Sequence, residues 1–493
     1  MAIADPLAAT TAAPPTGKRL SGRLGAGAIM FMVVAAAAPL TVVGGGFPLA
    51  ALLGNGAGAP SMFVVGGVIL LFFSVGLSTM SRYVAKPGAF FTYVGYGLGR
   101  PAGLAAAWLA MLTYTTIQLA VYGYLGLTLG TWMDDHVGLN LPWWAWALVL
   151  VALVGVLGYR HVELSARVLG VLLVCEVGIV LVLSFVVLGQ GGADGLSVDS
   201  FRPSTVTAGS PALALMFCMA GFIGFESTAI FRDEARDPEK TIPRATYAAV
   251  VLIAVFYTFA AYSLVQAWGN GFDKEIADDS AGFVITTAHM YLGRPGAEIV
   301  NVFLLTSLFA CVLSFHNVIT RYQHAMSNAR LLPRRLGEVH EKHASPHRSS
   351  LLQTATALVC VGAFALLRLD PFLKVFTWFS GVATFAIVVL MALTSLAVIT
   401  YFARNRIPGG IWKTWIAPAV GLVGLGWVTW ILFDNFPLLM GDVDANGAPR
   451  FGTLTIAFLL VMAAFPVFGV VQALVLRRTR PAAYQHVIET ISE

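Results

Sequence analysis

A chain of 493 residues has length enough for two or three soluble domains, but 58% of it is apolar and only 11% charged, against roughly 45–50% and about 25% in soluble domains. Such a chain cannot cover its hydrophobic surface by folding in water, so bilayer lipid must be part of its solvent. The formal charge of +5 would suit an acidic partner, but the basic residues are scattered over many loops without interleaved aromatics, which excludes a nucleic-acid surface.

Residues 1–24 open with MAIADPLAATTAAPPTGKRL. They lack the apolar core of a secretory signal and read as a flexible cytosolic tail. Twelve stretches then reach the roughly 20 apolar residues that cross a hydrocarbon core. They centre on 29–53, 61–80, 102–131, 143–159, 168–189, 211–231, 245–268, 297–320, 351–369, 375–402, 412–433 and 452–476. Their lengths suit helices, and the short alternating strands of a membrane barrel are absent. The fold class is an all-α polytopic membrane protein. With both termini in the cytosol, 24 of the 30 lysines and arginines fall on the inner side, as the positive-inside rule requires. The basic balance is therefore a topology signal.

Three connections carry more than a turn. Lys86 to Gly103, KPGAFFTYVGYGLGRPAG, is aromatic on one side and small on the other, the pattern of an amphipathic helix along the inner membrane face. The inner loop from Arg321 to Ser350 mixes arginine, histidine and glutamate. The outer piece Glu275–Tyr291 reads as a short helical cap.

No catalytic or cofactor motif emerges. Histidine and glutamate nowhere take metal-ligand spacing, and there is neither a GxSxG elbow nor a GxxxxGK[ST] phosphate loop. The expectation is no catalytic residue, no metal and no cofactor. The GAGA at Gly25–Ala28 opens a span rather than following a strand. Cys175, Cys218, Cys311 and Cys360 stand in apolar runs and read as packed thiols. His316 and His324 read as helix-end packing or hydrogen-bonding groups.

Two spans are badly made helices. Span 1, VVAAAAPLTVVGGGFPLAALLGNGAG, holds Pro39, then Gly44, Gly45, Gly46 and Pro48. Proline removes a backbone bond and clashes with the preceding turn, and freed backbone at membrane depth is tolerated only where protein or a watery cavity satisfies it. Span 6 carries Gly221 and Gly224, then Glu226, an acid that costs roughly 2.5–3.5 kcal/mol at the bilayer centre unless sheltered. Interrupted spans five apart point to the binding site of a transporter built from repeats. Half-helix ends and freed backbone groups suit a zwitterion or an amine without any charged side chain.

The motif GFIGFESTAIFRDEARDPEKTIPRA, Gly221 to Ala245, resembles the span-6 signature of the amino acid–polyamine–organocation permeases. SRYVAKPGAFFTYVGYGLGRPAG (Ser81–Gly103) and RYQHAMSNARLLPRRLGEVHEKHASPHR (Arg321–Arg348) agree with it. The resemblance implies two inverted five-helix repeats of the LeuT-like kind over 25–190 and 208–402. Two peripheral helices over 412–476 and a cytosolic tail over 477–493 complete the expected organisation. It also implies a plasma-membrane protein that moves an amino acid or related amine by alternating access, driven by protons or exchange.

Carried over residue by residue, the span-1 break is Ala37, Ala38, Pro39, Leu40 and Thr41, with the substrate carboxylate on its amides. The span-6 break is Met219, Ala220, Gly221, Phe222, Ile223 and Gly224, with Phe222 as an aromatic gate. The chain departs from the family twice. Pro39-Leu40-Thr41 replaces the glycine-rich triplet many members carry, and Glu176 stands where proton-coupled members can carry a lysine. Glu176 reads either as a proton carrier, its charged form penalised by desolvation, or as a protonated strut on span 5. Glu226 reads as proton carrier, amine partner or neutral strut. Tyr114, Gln118, Tyr122, Ser307, Ser314, Asn317, Thr377, Trp378 and Ser380 are further candidates to line the pocket. The alternatives to an amino acid permease are a polyamine or small-amine carrier, a transporter-like sensor, and a membrane enzyme, for which two acids alone make no catalytic set. Substrate identity and oligomeric state are not encoded in any motif.

Overall fold

Inside lipid every backbone N–H and C=O must be bonded within the protein, and the chain meets this demand with helices. The computed structural model describes residues 25–84, 90–160, 166–226, 228, 235–340, 345–405 and 410–491. The first apolar stretch is in pieces: α1 (Ala26–Ala36), α2 (Pro39–Thr41), a π-helical turn Val42–Gly46, α3 (Phe47–Ala50) and a second π-helical turn Ala51–Asn55. The chain leaves helical geometry again at Gly54 and Gly56. It continues as α4 (Ala59–Met80), α5 (Phe90–Leu98), α6 (Arg100–Val137), α7 (Trp143–Tyr159), α8 (Ala166–Gly189), the short α9 (Pro203–Val206) and α10 (Pro211–Ala220). Then come α11 (Pro238–Trp268), α12 (Phe272–Asp278), α13 (Phe283–Asn328) and α14 (His347–Leu366). A π-helical turn Pro371–Phe376 leads into α15 (Thr377–Asn405), followed by α16 (Ala417–Met440), α17 (Thr453–Thr479) and α18 (Pro481–Ile491). Among the described residues, nine helical runs are long and apolar enough to cross a membrane, while Trp143–Tyr159 and Pro211–Ala220 are apolar but shorter.

Burial ranks these helices. α6 packs against α5, α7, α13, α15 and α17, and 89% of its apolar window is buried against 17% for α17. α6 is thus the inner pillar, and α17 turns Leu460, Val467 and Phe468 outward. Buried amides set the pillar's register. Gln353 Nε2 donates to Gln118 Oε1 at 2.7 Å, Gln323 Nε2 donates to Gln353 Oε1 at 3.2 Å, and Gln118 Nε2 donates to the Val312 carbonyl at 3.1 Å. Apolar surroundings make each of these bonds expensive to lose, so α6, α13 and α14 are tied at one depth. Gln118 therefore serves the scaffold. His316, bonded to Ser350 at 2.9 Å, joins α13 to α14.

Three loops differ from or match expectation. The segment Lys86–Gly103 contains a helix, α5, which lies against α6 and α15 with Phe90, Phe91, Tyr93 and Val94 buried. Its aromatic side meets protein; Tyr96 faces out, and residues 86–89 lie outside the described part. The Arg321–Ser350 loop is shorter than expected, since α13 runs on to Asn328 and α14 starts at His347. Residues 341–344 are outside the described part. The piece expected to form an outer cap is helical: α12, then the first turns of α13 up to a kink at Gly293 (φ 69°).

Candidate functional site

Ala38 is the pivot of the first break. It takes φ 48°, ψ 70°, a left-handed conformation that costs a side-chain-bearing residue about 1–2 kcal/mol. Pro39 explains the choice: the residue before a proline is steered away from the right-handed helical region, and Pro39 is then well placed to start the next helix. The break is therefore narrower than the expected five residues, with helix resuming at Pro39. Its amides are mostly engaged. Ala37 N–H donates to the Val33 carbonyl at 3.2 Å and Thr41 N–H to the Ala38 carbonyl at 3.0 Å. Pro39 has no N–H, and Leu40 N–H reaches the Glu176 carboxylate.

The second break follows α10. Gly221, Phe222 and Ile223 donate N–H groups back three residues, to Cys218, Met219 and Ala220, at 3.0–3.1 Å. Gly224 adopts φ 113°, a conformation L-residues rarely enter. The backbone here is tightly turned rather than freed. The two breaks abut, since a Cβ added at Gly224 would lie 3.9 Å from the Ala37 nitrogen.

Between them lies a cavity of about 50 Å³. Ala37, Thr41, Ala220, Gly221 and Ile223 line it from the breaks, with Ile117 and Val121 from α6, Cys311 and Phe315 from α13, and Phe376 and Ser380 from the α15 region. Ala38, Pro39, Leu40, Met219, Phe222 and Gly224 do not line it. Phe222 is buried on the other side of its turn, toward Gly66 and Gly67 of α4. Phe217, Phe315 and Phe376 are the rings that face the cavity. These three sit in phenylalanine-rich runs, so no local pattern distinguishes them.

Both buried acids flank the breaks. Glu176 of α8 accepts a hydrogen bond from Ser307 Oγ of α13 at 2.9 Å, and Thr41 Oγ1 donates to the same Ser307 Oγ at 3.3 Å. With the Leu40 amide this joins α8, α13 and the first break through one carboxyl group. Tyr257 of α11 and Cys311 are its titratable neighbours, and the Tyr257 hydroxyl has no hydrogen-bond partner among the described residues. Glu226 accepts from Tyr114 Oη of α6 at 2.9 Å and from the Gly224 amide at 2.8 Å. Tyr114 in turn meets Tyr322 of α13, with ring centroids 5.7 Å apart. Ser307, Tyr114 and Ser380 were visible as polar residues within spans; Tyr257 and Tyr322 were missed, because a tyrosine in an apolar run shows nothing of where its hydroxyl ends. Beyond the first break the span is tied by Tyr124, whose hydroxyl lies 2.8 Å from the Gly44 carbonyl and 3.1 Å from that of Ala281.

Comparison with known proteins agrees with this geometry. Residues 29–478 match the family described as amino acid permease. An uncharacterized amino acid permease of Bacillus subtilis, YtnA, is 25% identical over 361 residues, covering 70% of this chain and 74% of the relative. The serine/threonine exchanger SteT of the same species is 24% identical, covering 65% and 73%. The low-affinity putrescine importer PlaP of Escherichia coli is 21% identical, covering 78% and 83%.

Proposed function

The chain belongs to the amino acid permease family, and on that premise we propose that it is a secondary active transporter carrying an amino acid or related amine by alternating access. In this reading it crosses the plasma membrane twelve times as two inverted five-helix repeats and two peripheral helices, with both termini in the cytosol. The observation that carries the proposal is the meeting of two broken spans, five apart in the chain, on one cavity. Such a site binds cargo where the two repeats move against each other. The bias of basic residues supports the orientation.

Glu176 is the coupling residue in this proposal. Its carboxyl links α8 to α13 and to the first break, so gain or loss of its proton changes how those elements hold together. Glu226, held by Tyr114 and Gly224, acts as a strut beside the second break. The relatives include both an amino acid exchanger and a putrescine importer, which leaves the cargo to be decided by the cavity itself.

The test is counterflow. Full-length protein in sealed vesicles loaded with an unlabelled amino acid is expected to take up the same labelled amino acid, faster than protein-free vesicles. Saturable binding without flux would refute transport and favour a sensor.

A further inference from the structure

α18 packs against α5, α6, α13 and α17. Tyr484, Val487 and Ile488, spaced i, i+3, i+4, share one face of it, and Val487 and Ile488 are buried. The seat for this face is cut from glycine. A Cβ added at Gly95 of α5 would stand 2.8 Å from Ile488 Cδ1, and one at Gly103 of α6 would stand 2.6 Å from the same atom. Ile488 therefore fills a notch that a side chain at either glycine would close. Arg100 fixes the register, donating from Nε and Nη2 to the Gln485 carbonyl at 3.1 and 2.7 Å. Its guanidinium carbon also lies 5.4 Å from the Tyr484 ring centroid, within reach of a cation–π attraction.

From that seat a run of contacts leads to the second break. One turn before Gly95, the Phe91 ring meets Tyr322 of α13 edge-on, with centroids 5.4 Å apart, an arrangement aromatic pairs favour. Tyr322 meets Tyr114 at 5.7 Å, Tyr114 donates to Glu226 at 2.9 Å, and Glu226 accepts from the Gly224 amide at 2.8 Å. α5 is also tied to α15, where Thr400 Oγ1 and Arg404 Nη1 donate to the Gly97 carbonyl at 3.1 and 3.2 Å.

We propose that α18 is a latch on the second break. Seated in the Gly95–Gly103 notch it holds α5, and through Phe91, Tyr322, Tyr114 and Glu226 it keeps the turn ending at Gly224 in its tight form. Unseating α18 loosens that turn and opens the cavity, which the turn walls with Ala220, Gly221 and Ile223. Ile488 and Arg100 are positioning residues, since they act on the break through α5 and touch neither the cavity nor its contents. The latch concerns access to the cavity and holds whatever the cavity carries.

Cys311 lines the cavity and supplies the reporter. In full-length protein whose other three cysteines are serine, N-ethylmaleimide labels Cys311 at a rate set by how often the cavity opens. Ile488→Ala empties the notch and should raise that rate by about two- to thirtyfold, the span of couplings carried by packed networks. Gly95→Ala should do the same by crowding Ile488. Adding Ile488→Val to Gly95→Ala conserves the volume of the contact and should bring the rate back toward the parent's. Tyr114→Phe cuts the route at Glu226, so Ile488→Ala should add nothing to the labelling of that variant. Parent-like labelling in monodisperse Ile488→Ala or Gly95→Ala protein would overturn the latch. So would a fully additive effect of Ile488→Ala on Tyr114→Phe protein, because α18 would then act by general destabilisation.

Discussion

A carboxyl group inside a membrane protein is tolerable only when donors surround it, and the two acids solve this differently. Glu226 meets a tyrosine hydroxyl and the amide of a left-handed glycine two residues away. With its oxygens so engaged and turned away from the cavity, its geometry fits a strut better than an amine partner. Glu176 is held by Ser307 and the Leu40 amide, with an unpartnered tyrosine hydroxyl nearby. Glu176→Gln keeps the shape and an oxygen for Ser307 but cannot exchange a proton. It should abolish accumulation driven by a pH gradient while sparing counterflow. A pH dependence of uptake identical to the parent's would exclude Glu176 as the coupling group. Both acids were conspicuous in the sequence because charge is rare in the spans. Their pairing with Ser307 and Tyr114 was not, since these lie 131 and 112 residues away in the chain.

At the scale of elements, the broken helices are where local chemistry speaks most plainly. Pro39 forces the preceding residue out of the helix, and Gly224 supplies the positive φ that ends the second turn. Local chemistry did not reveal how few backbone groups the breaks leave open, because that depends on Glu176 and on three-residue turns closing behind α10. Gly221 leaves no room for a side chain: a Cβ there would stand 2.8 Å from Val42 Cγ1 and 3.1 Å from the Tyr257 ring. Gly221→Leu should therefore fill the cavity and block binding, and overpacking should lower stability by about 1–3 kcal/mol. Ligand-induced thermal shifts on monodisperse protein provide the check. A normal shift in the folded variant would show that the cavity is not the binding site.

For the molecule as a whole, burial falls from the pillar α6 to the lipid-facing α17, and the ends of the outer helices must be secured in water. Asp442, in the loop before α17, does this by accepting from the Thr455 hydroxyl at 2.6 Å and the Thr455 amide at 3.0 Å. These bonds, the hydroxyl first, hold its carboxyl below the ordinary carboxylate value, which is about 3.9 for aspartate. A depressed folded value means the stabilisation is complete above about pH 4 and is lost as pH falls through the depressed value. Asp442→Asn should lower the thermal midpoint at neutral pH by a contribution under about 1 kcal/mol. The gap from the parent should narrow toward pH 3. A gap that stays constant with pH would assign the effect to packing instead.

Composition and hydropathy alone determined the solvent and the helical fold class, because each depends on sums over many residues that no single contact can reverse. The positions of both breaks were equally legible, since proline and glycine act on their own backbone. The tertiary structure decided which side chains face the cavity. Phe222 lies in the break motif yet turns toward α4, while Phe315 and Phe376, far away in sequence, form the wall. It also set the aromatic face of α5 against protein, on α6 and α15. In lipid an aromatic face gains from contact with either protein or bilayer, so the pattern of the segment is the same in both cases. Only the neighbours available in the fold determine which contact is made.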